Sequence, residues 1–200
     1  MGGERLKIAV LISGRGSNLN ALIHACRDPT FPANICLVLS SRSGAEGLEY
    51  ARDAQIPAVV VDHKAYADRR TFEEAMQREI VKSGADLVVL AGFMRVLTAD
   101  FVQLWPGRMI NIHPSLLPDY KGLNTHARAL ADGKKEAGCT VHYVVPEMDS
   151  GPIIVQKRVP LLSGDTPETL AARVLEQEHL AYPEAVRIVC EDLRRRGNPA

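Results

Sequence analysis

The chain has 200 residues, with 24 Lys and Arg against 24 Asp and Glu and 46% hydrophobic side chains. This is the composition of a folded soluble chain of about one domain, and it excludes disorder, collagen and long coiled coil. Roughly 70% of the unfolded surface is buried at this length, so a core forms without metal or disulfide staples. A net charge of zero argues against a general nucleic-acid or anionic-membrane binder, which needs excess Lys and Arg, and points to small-molecule partners.

In chain order, the apolar run Ile8 to Ile12 reads as a strand covered on both faces, running into Ser13-Gly14-Arg15-Gly16-Ser17-Asn18 and a helix from about Leu19 to Arg27. Strands at Ile35–Ser40, Ala58–Val61 and Leu87–Ala91 then alternate with helices at Glu46–Ala54, Thr71–Lys82 and Thr98–Leu104. Met109–His113 is the fifth apolar strand, ended by Pro114. Such alternation predicts right-handed βαβ crossovers: an α/β, Rossmann-like, doubly wound and mostly parallel sheet. Cys139–Val145 and Ile153–Val159 follow one another across a turn too short for a parallel crossover, so they are expected to pair antiparallel at one edge. Thr166-Pro167-Glu168 opens a long helix, expected to kink or break near Pro183. With no repeat or linker, residues 1–200 read as one domain, core about 7–189, with 191–200 a charged tail in which Arg194 to Gly197 form a solvated end.

Four cysteines, Cys26, Cys36, Cys139 and Cys190, are spaced at least ten apart and form no CxxC, as expected of reduced structural thiols. Gly2 is no convincing myristoylation site, because Leu6 stands where Ser or Thr is needed. No signal-peptide core or apolar run of about 20 residues is present, so a cytoplasmic protein is expected.

Two constellations carry chemistry. The glycines of the first βα turn let the backbone approach an anion at a helix N-terminus. A dinucleotide fingerprint is disfavoured, since Leu19 replaces the third glycine and Ser40-Ser41-Arg42 offers no acid; a phosphate monoester fits, against a plain tight turn. In Asn111-Ile112-His113-Pro114-Ser115-Leu116-Leu117-Pro118, Asn111 and His113 share one face at the carboxyl end of a central strand. An amide donor and an imidazole suit a developing oxyanion and a departing proton in acyl transfer, against a strand-end His bonded to a loop carbonyl. Asp149, in Met148-Asp149-Ser150-Gly151-Pro152, is either the carboxylate that orients this imidazole or an ordinary turn residue. No GxSxG elbow supplies a covalent nucleophile, so direct transfer is favoured. His24, His63 and His179 read as surface residues, His126 as structural, and His142 as core or crevice-lining. His113, His142 and Asp149 follow no known metal-ligand spacing, and no metal is expected.

Taken together, SGRGSNL at 13–19, AGFMR at 91–95, NIHPSLLP at 111–118 and MDSGP at 148–152 closely resemble the folate-dependent formyltransferase family, in its glycinamide ribonucleotide branch, from about Lys7 to Val189. The resemblance implies catalytic roles for Asn111, His113 and Asp149, and ribonucleotide binding by Gly16, Ser17, Asn18 and Glu178. Arg69 (or the neighbouring Arg70), Met94, Arg95, Val96 and Leu97, with Asn111 and Val145, Pro146, Glu147, Met148 and Asp149, would face the co-substrate 10-formyltetrahydrofolate. Lys121 inherits no role. The implied reaction is attack of the glycinamide amine on the formyl carbon in de novo purine synthesis, by a monomer or homodimer. Competing readings are a 10-formyltetrahydrofolate deformylase, which typically carries an N-terminal regulatory domain, a transfer-RNA formyltransferase, which needs an added basic domain, a silent folate- or nucleotide-binding module, and a metal-dependent amidohydrolase.

Overall fold

Leu6–Ile12 (β1) is buried at every position but Lys7, and it lies inside a seven-stranded sheet of order β3-β2-β1-β4-β5-β6-β7. The other strands are Ala33–Ser40 (β2), Ala58–Val60 (β3), Leu87–Leu90 (β4), Met109–His113 (β5), Glu136–Tyr143 (β6) and Ile153–Pro160 (β7). The helices are Ser17–Cys26 (α1), Gly47–Asp53 (α2), Arg69–Lys82 (α3), Ala99–Gln103 (α4), Thr125–Ala131 (α5) and Pro167–Arg195 (α6). The computed structural model describes residues 4–197; Gly2 and the last three positions of the expected tail lie outside the described residues.

Strands β1 to β5 pair in parallel, while β6 runs antiparallel to both β5 and β7. The expected mixed edge is therefore present. Alternation along β1 splits the core into two layers. Ile8, Val10 and Ile12 pack with Leu19, Leu22 and the α6 residues Val174, Tyr182 and Val189; Ala9 and Leu11 pack with Phe72, Met76 and Ile80 of α3 and Phe101 of α4. Strand order reverses at β1, whose neighbours are β2 and β4. Ligand crevices of open α/β sheets lie at such a switch point, outside the carboxyl ends of the strands.

The expected break near Pro183 does not occur: α6 runs without interruption over 29 residues, opened by a capping box of Thr166 and Thr169. A mid-helix proline costs about 3 kcal/mol, but Ala181, Tyr182, Ala185 and Val186 around it are fully buried, and packing of that face outweighs the lost bond. The Tyr182 hydroxyl donates to the carbonyl of Leu90 at 2.7 Å, with Ile110 O at 3.3 Å, joining α6 to the ends of β4 and β5. Arg194 to Gly197 are exposed as expected, although Arg194 and Arg195 form the last turn of α6 rather than a loose tail, and Arg194 donates to Glu4 O at 2.6 Å. All four cysteines are free; burial pushes the Cys139 and Cys190 thiols up to about 12, which leaves them protonated and inert. Among the described residues, no helix is long and apolar enough to cross a membrane.

Candidate active site

Three loops leave the carboxyl ends of β1, β4 and β5 side by side. Gly16 stands at the N-cap of α1 with φ 74°, and no side chain caps the helix, so the first backbone N–H groups at Ser17 and Asn18 are left for an anion. Glycine is required at position 16 for a local reason as well: a Cβ there would lie 2.5 Å from Gly47 Cα of α2. Asn18 Nδ2 donates to Glu178 Oε2 at 2.7 Å, both side chains buried, so residues 160 apart meet beside the phosphate-type loop. Burial pushes the Glu178 carboxyl up, opposed by the Asn18 hydrogen bond and by Arg15.

At the end of β5 the antiparallel register sets Asn111 opposite His142 and His113 opposite Thr140. His142 is 2% exposed. Its Nδ1 faces the Tyr143 carbonyl at 2.9 Å, which can only accept, so Nδ1 carries the proton and Nε2 is left to accept from Asn111 Nδ2 at 3.3 Å. Burial holds His142 below the usual imidazole range, against the Tyr143 carbonyl and Asp149. The 3.7 Å approach of its Nε2 to Asp149 Oδ1 is therefore the contact of a neutral ring with a carboxylate, not an ion pair. Asn111 keeps its second N–H for another acceptor.

The same logic fixes His113. Its Nε2 lies 2.9 Å from the Tyr120 carbonyl and so bears a proton, which leaves Nδ1 as the exchanging nitrogen; Nδ1 lies 3.5 Å from Asp149 Oδ2. That carboxylate oxygen accepts the Gly122 N–H at 2.9 Å. Asp149 has φ 50°, a left-handed backbone rarely adopted by residues other than Gly, Asn and Asp and concentrated at functional turns. Gly151 completes the turn because the β6 and β7 ends close there: a Cβ would sit 1.7 Å from Tyr143 O. Lys121 ties the two loops, donating to Ser150 Oγ and lying 3.7 Å from Glu147 Oε1.

The loop after β4 carries the other expected residues. Leu90 pairs with Asn111, so this loop departs next to the reacting groups. Arg69, Met94, Arg95 and Val96 line one cleft of about 410 Å³ together with His63 and Tyr66. Arg69 rather than Arg70 faces it, since Arg70 Nε is taken by Glu74 Oε1 at 3.0 Å. Leu97 turns instead toward the core under α3 and α4. Val145 is half-buried, whereas Pro146, Glu147 and Met148 are exposed in the turn that presents Asp149.

Two histidines expected at the surface are not simple surface residues. His63 Nδ1 donates to Ser41 O at 2.9 Å, because the ring folds over the end of β2. His179 has a buried Nε2 without a hydrogen-bond partner among the described residues, and burial lowers its pKa. His24 is exposed. His126 is half-buried, its pKa lowered by burial and by nearby His113. Sequence reasoning missed the Tyr120 carbonyl and the Gly122 N–H, which are backbone groups with no side-chain signature, and left the role of His142 open. The period-2 register of β6 against β5 was the available signal for the last.

Comparison with known proteins identifies the family of this fold. The formyl transferase family model matches residues 6–186. Phosphoribosylglycinamide formyltransferase of Escherichia coli is 46% identical over 89% of this chain and 84% of its own length. The crystal structure of glycinamide ribonucleotide transformylase 1 from Symbiobacterium toebii superposes with a TM-score of 0.92 at 46% identity, covering 95% of this chain and 90% of that one. The trifunctional purine biosynthetic protein adenosine-3 of Gallus gallus is 50% identical over 93% of this chain, but the chain spans only 18% of that protein's length. On the family match over most of its length, together with these relatives, the chain belongs to the formyl transferase family.

Proposed function

We propose that the chain transfers the formyl group of 10-formyltetrahydrofolate to the primary amine of glycinamide ribonucleotide in purine synthesis, the reaction type for which its E. coli relative is named and the pathway for which its Gallus gallus relative is named. The observation that carries the proposal is His113, with Nε2 on the Tyr120 carbonyl and Nδ1 facing Asp149, on the same strand end as Asn111. Gly16, Ser17 and Asn18 hold the substrate phosphate and Glu178 the ribose side. Arg69 and Met94, Arg95 and Val96, with the 145–149 turn, hold the folate.

The amine nitrogen forms a bond to the formyl carbon, and the carbonyl π pair moves onto oxygen. The second N–H of Asn111 and the protonated Nδ1 of His113 donate to this oxyanion, where charge-directed hydrogen bonds lower the barrier most. Collapse of the oxyanion breaks the carbon–nitrogen bond to the folate. Nδ1 delivers a proton to the departing nitrogen, and the proton lost by the attacking amine restores the balance. Asp149, 3.5 Å from Nδ1, orients it. No step uses a metal ion. The same reading treats residues 1–200 as one formyltransferase domain, supported by a single sheet that takes strands from Leu6 to Pro160, acting in the cytoplasm on small molecules.

The test is formyl transfer from 10-formyltetrahydrofolate to glycinamide ribonucleotide beside a water-only control. Transfer without hydrolysis is expected, and His113→Asn should lower kcat by about 10²–10⁴-fold, the usual range for a general acid–base group, with substrate affinity nearly unchanged. Hydrolysis that ignores the amine, or near-normal turnover in His113→Asn, overturns the proposal.

A further inference from the structure

The cleft assigned above to the folate has two walls from distant parts of the chain: His63, Tyr66 and Arg69 on one side, and Met94, Arg95 and Val96 on the other. Two buried polar links tie these walls together. In the floor, at the ends of the adjacent strands β1 and β2, Ser13 Oγ and Ser41 Oγ are 2.7 Å apart and both residues are buried. Ser13 Oγ accepts the Met94 N–H at 2.8 Å, and Ser41 O accepts from His63 Nδ1 at 2.9 Å, so each serine grips one wall. The second link lies at the far end of the loop. Glu73, on α3 one turn beyond Arg69 and 5% exposed, accepts the Thr98 N–H through Oε1 at 2.7 Å and the Thr98 hydroxyl through Oε2.

A carboxylate buried this deeply is tolerated because both oxygens are satisfied, and hydrogen bonds to a charged acceptor are about twice as strong as neutral ones. The Thr98 hydroxyl also accepts from Phe101 N at 3.2 Å, capping α4. The loop Gly92–Thr98 is therefore fixed by its backbone at Met94 and at Thr98, while the side chains of Met94 and of Val96 between these points stay 59% and 56% exposed. Apolar side chains left open on a loop pinned in this way suit a flat apolar ligand.

We infer that Glu73 and Ser13 are positioning residues for the folate side of the reaction: they cross-tie the two walls, hold the cleft at binding width before ligand arrives, and touch neither substrate. Pre-ordering a binding loop raises affinity by removing the ordering entropy from the binding step. This inference rests on the assignment of the cleft to folate. Ser13 lies next to the ribonucleotide loop, so Glu73 gives the cleaner test.

Calorimetry on the full chain, with a non-reactive folate analogue and with glycinamide ribonucleotide separately, distinguishes the possibilities. Glu73→Gln turns one acceptor into a donor facing Thr98. It should raise the Kd for the folate analogue, and KM for 10-formyltetrahydrofolate, about tenfold, while the ribonucleotide Kd and kcat change less than about twofold. Thr98→Val, which removes only the hydroxyl, should act in the same direction, and Thr98→Ser should restore wild-type values; this pair carries the test should Glu73→Gln fail to fold. Unchanged folate affinity in a folded Glu73→Gln or Thr98→Val protein, or equal losses for both ligands, overturns the inference while leaving the assigned reaction intact. A wild-type chain that binds no folate analogue overturns both.

Discussion

Gly151→Ala isolates the consequence of a single methyl group. Gly151 has no left-handed backbone requirement, so alanine brings no dihedral penalty and the effect is steric. The new Cβ would lie 1.7 Å from Tyr143 O, against a floor of about 3.0 Å for real contacts, so the neck between the ends of β6 and β7 must open by more than 1 Å. That neck is closed by the Tyr143 N–H on Pro152 O at 2.9 Å, next to the irregular register at Val141 and His142. Overpacking of this kind costs about 2 kcal/mol, which for a chain of this size lowers Tm by about 4–8 °C. The larger effect falls on Asp149, two residues away, whose 3.5 Å approach to His113 Nδ1 cannot survive such a displacement. A misplacement of about 1 Å costs roughly 10²-fold in rate. Steady-state transfer kinetics and thermal melts on the same preparation should therefore give kcat down about a hundredfold with a modest loss of Tm, and normal binding at the Gly16–Asn18 loop. A Gly151→Ala enzyme with full kcat would refute the reasoning.

Two further outcomes are expected. In Asp149→Asn the amide oxygen still accepts from Gly122 N–H, but the carboxylate that faces His113 Nδ1 is gone, so kcat should fall about a hundredfold with substrate affinity nearly unchanged; near-normal kcat in the folded variant would reduce Asp149 to a turn residue. For Glu178, burial raises the folded-state carboxyl above its ordinary 4.5, so the folded chain binds more protons there and stability is lost as pH rises from 4.5 through the raised value. Glu178→Gln, which keeps an acceptor for Asn18, should gain on wild type in urea unfolding between low and neutral pH while losing affinity for the ribonucleotide; a pH-independent difference would count against the burial argument.

How much was legible in the sequence depended on whether the information was local. The alternation of short apolar runs with amphipathic stretches placed every strand and the helices α1 to α4 within a few residues, because strands buried on both faces leave no other pattern. Pro183 misled because a local rule met a helix face buried among Tyr182, Ala185 and Val186, and the decisive term was tertiary. At the site, Asn111 and His113 could be paired from their spacing of two. Their tautomers could not, since these depend on the carbonyls of Tyr143 and Tyr120. The Asn18–Glu178 bond was likewise visible only as two separate resemblances. Gly16 was expected to admit a phosphate, and the structure adds a second constraint, the backbone of Gly47.

The unbroken course of α6 makes it a ruler. Glu178 and Tyr182 are four residues apart on it, a rise of about 6 Å and little more than one turn, and they face Asn18 of the Gly16–Asn18 loop and the carbonyls of Leu90 and Ile110 beside Asn111 respectively. Under the proposed function, the spacing between the place that holds the substrate and the place where its amine reacts is thus graduated on one helix. A residue inserted between those two marks would rotate one away from the other by about 100°, so this length of chain is closed to insertion. The turn Leu161–Asp165 that feeds the helix carries no such mark, and length can change there without altering the measurement.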